Sequence, residues 1–181
     1  ADVLVGDVTP SGKLTDTIAY SIDDYPSSKN YGDAHKNFYQ EDIYVGYRYF
    51  ETFNPEKVQF EFGYGMSYTD FDISTSSFRL DNDYIQIDCN VKNVGESYSG
   101  KEVVQVYYEA PQGKLGKPAR QLVAFRKTEN LKPGEAQSFT ISFPVEKMAS
   151  FDDGGITGYP SAFVLESGEY KIYIGNSVRN L

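Results

Sequence analysis

The sequence is poor in the residue types that build disulfides and metal centres. It contains one cysteine, Cys89, one histidine, His35, and no tryptophan among its 181 residues. A single cysteine excludes an internal disulfide and a cysteine-based metal site, and a single histidine excludes a multi-histidine site within the chain. We therefore expect these residues to hold no metal and no cofactor.

Long apolar runs and basic clusters are also missing. No stretch reaches the about 18 consecutive apolar residues of a membrane-spanning helix, so no membrane partner is expected. The formal net charge is −9, and no basic cluster is present to neutralise phosphates, so no nucleic-acid partner is expected. The sequence has neither a signal peptide nor an Asn-x-Ser/Thr sequon, and it fits both a cytoplasmic and a secreted protein.

Aromatic residues, by contrast, are abundant. The chain carries 16 tyrosines and 12 phenylalanines, with 40% apolar and 24% charged residues, which is the composition of a folded protein. Its length allows one domain of ordinary size, or a small domain together with part of another.

Residues 58–68 divide the chain into two unlike parts. Gly63 and Gly65 allow positive φ and a close backbone approach, so a sharp corner is expected there. The part before the corner is aromatic and irregular, and the part after it has a regular β pattern. The corner is preceded by a predicted strand, because four residues at alternate positions are apolar or aromatic: Val58, Phe60, Phe62 and Tyr64.

The N-terminal part shows features of an incomplete structure. Residues 1–6 resemble the last turn of a helix, with Gly6 just after its C-cap. Residues 21–37 are polar and predict a long loop, and loops of this length are often functional. Residues 43–50 are apolar or aromatic on both faces, which predicts a strand covered on both sides. Nothing else in residues 1–68 predicts a helix long enough to cover it, so we expect the cover to come from other polypeptide.

The C-terminal part contains seven short runs of alternating apolar residues separated by turn signals. Seven such runs within about 110 residues are typical of an immunoglobulin-like sandwich. Cys89 alternates with Ile87 and Val91 and is therefore predicted to be a small buried group rather than a nucleophile. The runs are 71–73, 85–91, 104–108, 122–125, 139–145, 162–165 and 170–174.

Several motifs, taken in order, resemble the family 3 glycoside hydrolases, the β-glucosidase and β-xylosidase group. The first three are Thr-Pro-Ser-Gly-Lys-Leu at 9–14, Tyr-Gln-Glu-Asp-Ile-Tyr-Val-Gly-Tyr-Arg-Tyr-Phe at 39–50 and Phe-Gly-Tyr-Gly-Met-Ser-Tyr at 62–68. Downstream, residues 90–95, 100–107, 131–135 and 168–170 resemble that family's fibronectin type III-like domain. The resemblance implies a mainly β chain, in which 1–68 end an α/β sandwich domain and 69–181 form the fibronectin-like domain.

The same resemblance carries an expectation about activity. Enzymes of this family hydrolyse terminal β-linked sugars with retention, which needs two carboxyl groups about 5 Å apart. The family's nucleophile is an aspartate of a barrel domain, and its acid/base is commonly a glutamate of the α/β domain upstream of residues 9–14. Both are expected to lie outside these residues. The chain alone should be inactive, and its partners should be the rest of the glycosidase and a β-linked oligosaccharide or glycoside. Asp42 stands where the family commonly has glycine, and Val8-Thr9 where an asparagine often precedes the proline.

Candidate substrate-binding residues lie in the N-terminal part. Glu41 and Asp42 point to opposite faces if they start a strand, so they form no catalytic pair, and a solvated strand start is the favoured interpretation. Arg48 lies in an apolar run, where a structural ion pair is favoured over a substrate contact. If the loop overhangs a sugar pocket, Tyr31, His35 and the nearby Tyr39 could touch substrate.

Two other functions fit parts of the sequence. The chain could be a stand-alone carbohydrate-binding module, since Tyr107 and Tyr173 are predicted on the outer faces of their strands, where they could stack on sugars. It could also be a structural fibronectin-like scaffold. The absence of tryptophan weakens the stacking interpretation, and the doubly covered strand at 43–50 favours a part of a glycosidase.

Overall fold

The computed structural model describes all residues from 1 to 181, and it is mainly β. One α-helix, α1 (Tyr47–Phe53), is present, and no helix is both long and apolar enough to cross a membrane. Short 3-10 turns cover Ile22–Asp24, Pro26–Lys29, Pro55–Lys57 and Val145–Met148. The strands are β1 (Ile18–Ala19), β2 (Val58–Phe60), β3 (Phe71–Asp81), β4 (Tyr84–Asn93), β5 (Val103–Glu109), β6 (Gln121–Lys127), β7 (Ala136–Pro144), β8 (Ser150–Asp152), β9 (Ala162–Val164) and β10 (Lys171–Gly175).

Two antiparallel three-stranded sheets form the predicted sandwich. One has the order β3-β4-β7 and the other the order β10-β5-β6. A single cluster of 14 buried residues fills the space between them. All seven predicted runs form strands, and the predicted fold class is confirmed. One detail was wrong, because the run at 162–165 forms β9, which pairs with β8 outside both main sheets. The three-residue β8 is too short for its alternation to be recognised.

Strand β4 shows how the alternating pattern produces the core. Its residues are buried and partly exposed in turn, as expected for a strand with one face in the core. Cys89 lies on the buried face between Ile87 and Val91, so its predicted position in the core is confirmed. Burial raises the pKa of the Cys89 thiol, with a smaller contribution from the charge of Asp88. The thiolate is the reactive form of cysteine. Folding should therefore slow the reaction of Cys89 in two ways, because burial blocks the reagent and the raised pKa keeps the thiol protonated.

We therefore expect native protein to react slowly with a thiol reagent and protein unfolded in denaturant to react fast. The measurement is the rate of Cys89 modification in the two states at one pH. Equal rates would contradict the core position of Cys89 and the register of β4.

The first six residues form the end of a helical turn, as the sequence indicated. Gly6 has φ +85°, its N–H donates to Val3 O at 3.2 Å, and the N–H of Asp7 donates to Asp2 O at 2.9 Å. This pair of hydrogen bonds is the Schellman arrangement that closes a helix C-terminus. Only a single turn is present, in agreement with the cost of nucleating a longer helix from so few residues.

The strand predicted at 43–50 is wrong. Residues 41–43 form a turn in which Tyr44 N donates to Glu41 O at 2.7 Å, and Gly46 then adopts φ +58° before α1 begins. The positive φ at Gly46 interrupts the extended backbone that a strand needs. Tyr47 and Phe50 are three residues apart and are both buried, so the aromatic run also satisfies the spacing of a short helix with one covered face.

The predicted corner is present, although β2 ends at Phe60, earlier than the alternation indicated. Gly63 has φ +83°, and its N–H donates to Leu14 O at 2.8 Å. A Cβ on Gly65 would come within 2.5 Å of Gly12 O, so only glycine allows the two backbones this close approach. The corner thereby holds the turn at 9–14 against the segment that leads into the sandwich.

The N-terminal part packs against the outer face of β5. Tyr107 is fully buried there, with the Tyr47 ring centroid at 6.2 Å and Val178 in the same cluster. The predicted solvent-facing position of Tyr107 was wrong, because α1 and the residues before the corner cover that face. Tyr173 is also only partly exposed, and its hydroxyl donates to Glu109 Oε2 at 2.7 Å. Burial raises the pKa of Tyr107 far above its usual range.

Asp152 fixes the conformation of the loop between β8 and β9. Its side chain is buried and accepts hydrogen bonds from Ile156 N at 3.0 Å and Thr157 N at 2.7 Å. The hydrogen bond from the Thr157 hydroxyl, together with the backbone donors, lowers the pKa of the Asp152 carboxyl. A carboxyl with a lowered pKa stabilises the fold above its unfolded pKa of about 3.9, and that stabilisation is lost as the pH falls through the folded pKa.

The Asp152→Asn variant should accordingly be less stable than the parent protein at neutral pH and should lose less of its stability between about pH 5 and pH 2. Denaturant unfolding across that range is the measurement. Asp153→Asn is the matched control, since Asp153 is exposed one residue further along. Parallel pH profiles for Asp152→Asn and the parent would contradict this role of the carboxylate.

Candidate functional site

Three of the predicted substrate-binding residues lie on one projecting arm. The amide of Asn30 donates from Nδ2 to Phe38 O at 3.2 Å, which closes the base of a loop formed by residues 31–38. We call residues 31–39 the arm; in it Tyr31 is 90% exposed and Tyr39 is 87% exposed. The arm therefore presents two aromatic rings that nothing in this chain covers.

His35 is exposed at the tip region of the same arm. Its backbone N–H donates to Asp33 Oδ1 at 2.8 Å, and the N–H of Lys36 donates to the same oxygen at 3.1 Å. These two backbone hydrogen bonds lower the pKa of the Asp33 carboxyl. Asp33 thus sets the turn that carries His35, in the manner of an Asx turn. The histidine itself lies on the surface and lines neither of the cavities described next.

Glu41 lies between two open cavities at the base of the arm. One has a volume of about 300 Å³ and the other about 430 Å³, and Gln40 and Glu41 line both. Glu41 is half-buried and accepts a hydrogen bond from the Ser27 hydroxyl at 3.2 Å. Asp42 is exposed and adopts φ +49° in a turn, so the predicted strand start at these two residues was wrong.

The smaller cavity combines carboxylates with aromatic rings. Asp23, Asp24 and Glu41 lie on its wall, and Lys57 pairs with Asp24 at 3.2 Å beside it. Carboxylates and tyrosine hydroxyls can bind the hydroxyl groups of a sugar, and aromatic faces can pack on its apolar face. Its aromatic lining is contributed by Tyr25, Tyr44, Tyr49 and Phe53.

Arg48 is separated from the other candidates. It lies on α1, half-buried, with its guanidinium carbon 6.0 Å from the Tyr47 ring centroid. The predicted ion pair is wrong for this chain, because no carboxylate lies within 4.0 Å of it. Burial raises the pKa of Tyr108 to about 12, and the Arg48 charge opposes part of that rise.

The structure therefore brings Tyr39 and Glu41 to a shared cavity, places Tyr31 and His35 on the arm above, and sets Arg48 beside the sandwich.

Sequence reasoning missed the contacts by which the C-terminal part of the chain holds the N-terminal part. Val178 N donates to Phe62 O at 3.0 Å, and Arg179 pairs with Glu51 at 2.8 Å. Glu102, which is buried, pairs with Lys13 at 2.7 Å. The missed signal was the run Val103 to Tyr108, which is apolar at nearly every position. A run of that kind predicts a strand covered on both faces.

A second feature of the N-terminal part is its uncovered apolar surface. Leu4 is 88% exposed, on the turn that begins the chain. Scattered apolar residues at a surface are normal, but this density within 60 residues is not. We call this set the N-terminal apolar surface, and it comprises Val3, Leu4, Val5, Val8, Ile18, Tyr20, Ile22, Tyr31, Phe38, Tyr39, Ile43, Val45, Phe53 and Phe60.

Two family models match the chain, one in each part. Residues 1–68 match the model described as the glycosyl hydrolase family 3 C-terminal domain, and residues 102–178 match the fibronectin type III-like domain. The first match contains the arm, both cavities and α1. The second contains the strands from β5 to β10.

Similar proteins span the whole chain. A β-glucosidase of Ruminococcus albus is 54% identical over 180 residues, which is 99% of this chain and 19% of that protein. A β-glucosidase structure from Paenibacillus barengoltzii superposes with a TM-score of 0.97 at 57% identity, covering 99% of this chain and 20% of that one. A β-glucosidase of Kluyveromyces marxianus, solved with glucose, gives 0.91 at 38% identity, with coverages of 99% and 21%. The chain thus spans about a fifth of the length of these relatives.

Proposed function

Since this chain belongs to glycosyl hydrolase family 3, as its C-terminal region, we propose that it is the C-terminal part of a retaining β-glycosidase of the β-glucosidase type. The complete enzyme would hydrolyse terminal β-linked sugars from an oligosaccharide or glycoside. Retention requires a nucleophile and an acid/base about 5 Å apart. Both groups would be supplied by polypeptide outside these 181 residues.

In this proposal the chain contributes a scaffold and one wall of the substrate pocket. Residues 69–181 form the scaffold, and residues 1–68 complete the α/β domain that carries the acid/base. The wall is the arm with its two cavities, so Tyr31, His35, Tyr39 and Glu41 are the residues proposed to approach substrate. Arg48 remains a candidate only if the added polypeptide extends the pocket to α1.

The N-terminal apolar surface is the observation that carries the proposal. Complete burial of a large apolar side chain is worth about 1.5–3 kcal/mol, so the concentration of 14 exposed ones in the first 60 residues favours a cover by other polypeptide over most of this surface. A free carbohydrate-binding module would have no need for this surface. The alternative also loses its stacking platform, because Tyr107 is buried and Tyr173 is partly covered and bonded to Glu109.

The proposal is tested by assembly with a polypeptide that supplies the barrel and the rest of the α/β domain. Leu4→Asp should weaken this assembly about tenfold or more, because a buried leucine is worth about 1.5–3 kcal/mol and each 1.4 kcal/mol is about tenfold in affinity. Phe163→Asp is the matched control, since Phe163 is 75% exposed on β9, against 88% for Leu4, and lies outside the N-terminal apolar surface. Binding is measured by calorimetry. Equal losses for both variants, or no binding by the parent chain, would refute the proposed docking surface.

A further inference from the structure

The loop between β5 and β6 reaches from the sandwich to the candidate site. We call residues 111–119 the support loop. The N–H of Ala119 donates to the Thr52 hydroxyl of α1 at 2.9 Å. Earlier in the loop, a Cβ on Gly116 would lie 3.1 Å from the hydroxyl oxygen of Tyr44. The support loop therefore meets the N-terminal part at two points, one on α1 and one on Tyr44.

Tyr44 connects this contact to the smaller cavity. It lines that cavity together with Glu41 and Phe53, and its backbone N–H donates to Glu41 O at 2.7 Å. The Tyr44 and Phe53 rings meet edge to face, with their centroids 4.9 Å apart. The half-buried phenol of Tyr44 thus packs on Phe53 in the cavity wall and also approaches Gly116 of the support loop.

The support loop is fixed by contacts that do not involve Tyr44. The Gln112 amide donates from Nε2 to Lys117 O at 3.0 Å and accepts from Lys117 N at 3.2 Å. Glu166, beyond β9, accepts from Lys114 N at 2.6 Å and from Leu115 N at 3.2 Å. Both Leu115 and Lys117 are buried. A loop with bonded backbone groups and buried side chains opens rarely, so it is a stiff support for the phenol.

Glycine at position 116 gives the Tyr44 phenol the space for this approach. A side chain there would start 3.1 Å from the hydroxyl oxygen, closer than ordinary van der Waals contact, so the phenol would have to move. Gly116 does not adopt a positive φ. A substitution would therefore act through the displaced phenol and not through backbone strain.

We propose that Gly116 is a positioning residue of the candidate site, through which the support loop fixes Tyr44 in the wall of the smaller cavity and sets the width available to a sugar unit. This inference rests on the proposed function, since it assigns the sugar to that cavity. The sandwich then acts on substrate binding as well as on stability. The chemical step is unaffected, because the carboxyl groups that perform it lie on other polypeptide.

The contact is tested in the chain alone. The sequence has no tryptophan, so Phe53→Trp supplies a single fluorescent reporter beside Tyr44. In that background Gly116→Val should shift the emission to longer wavelength, because a displaced phenol exposes the reporter to water, and Gly116→Ala should give a smaller shift in the same direction. Gly154→Val is the matched control, since a Cβ on Gly154 meets only Ile156, at 3.7 Å. Addition of Tyr44→Phe removes the oxygen that the new side chain meets and should remove most of the shift.

The effect on the site is tested with the added polypeptide that carries the barrel, at concentrations that saturate assembly. Gly116→Val should raise KM for an aryl β-glucoside at least about threefold and leave kcat within about twofold, because it changes placement and not proton transfer. Gly154→Val should change neither constant. An absent emission shift, or an unchanged KM in a mixture that hydrolyses the glucoside, would overturn the inference. A parent mixture without hydrolysis would refute the proposed function instead, and an emission shift relieved by Tyr44→Phe would still support the contact between the support loop and Tyr44.

Discussion

The 181-residue chain alone is expected to leave an aryl β-glucoside intact. Glycoside hydrolysis needs a general acid near the leaving oxygen and a second carboxylate across the anomeric carbon, both held rigidly. Glu41 and Asp42 do not provide such a pair, because Glu41 is half-buried against Ser27 while Asp42 is exposed on a turn with positive φ. The other carboxylates with defined partners are committed to structure, as Asp152 and Glu102 are.

Addition of the polypeptide that carries the barrel should restore hydrolysis by completing the α/β domain and fixing the pocket wall. Release of the aryl alcohol is followed for the chain, the added polypeptide and their mixture. Glu41→Gln should leave a rate in the mixture that is lowered through KM rather than abolished, because Glu41 is proposed to contact substrate and not to transfer the proton. Turnover by the purified chain alone that disappears in Glu41→Gln would make Glu41 catalytic and refute the assignment.

Removal of residues 69–181 from the assembled enzyme should lower stability more than it lowers the chemical step. The sandwich holds the N-terminal part through Tyr107, Val178 and the Arg179–Glu51 pair, and none of these groups lies in the two cavities of the candidate site. Their loss would free α1 while leaving the carboxyl groups of the barrel and α/β domain unchanged.

The sandwich was predictable because each of its strands carries its own pattern. In β4 the alternation around Cys89 is regular, and one face is buried, so period and register follow from the sequence alone. The helix α1 was not predictable in the same way. Its aromatic residues fit both a doubly covered strand and a short helix, and the choice depends on the positive φ of Gly46 and on packing against Tyr107.

Of the five candidate residues proposed from the sequence, Tyr39 and Glu41 line the cavities of the candidate site. The long polar loop contains Tyr31 and His35, yet the closure of the arm depends on a hydrogen bond from Asn30 to Phe38 O, which no periodic pattern predicts. The predicted ion pair of Arg48 was wrong for a similar reason. An apolar run indicates that a charge within it needs a partner, but it does not identify the residue that supplies one. The tail contacts likewise join residues far apart in sequence.

The second large effect is expected from a buried ion pair in the loop between β5 and β6. Lys117 is 2% exposed, and its ammonium group donates to Pro111 O at 2.9 Å, to Leu115 O at 3.3 Å and to a carboxylate oxygen of Glu166. Glu166, which follows β9, also accepts from Lys114 N at 2.6 Å. One buried charge pair therefore fixes this loop, whose Ala119 N in turn donates to Thr52 of α1 at 2.9 Å.

Lys117→Met should lower the free energy of unfolding by about 1–3 kcal/mol, because it leaves two carbonyl oxygens and the half-buried Glu166 carboxylate without their donor. Lys117→Met with Glu166→Gln should recover part of that loss, since no uncompensated charge then remains. Lys171→Met is the matched control, because Lys171 pairs with Glu109 at 3.1 Å with side chains that are 50% and 37% exposed, and pairs near the surface contribute little. Urea unfolding of the four proteins measures the differences. A Lys117→Met variant as stable as Lys171→Met would contradict this role of the ion pair. The loop would then be held by its backbone hydrogen bonds, including the one from Ala119 N to Thr52 of α1.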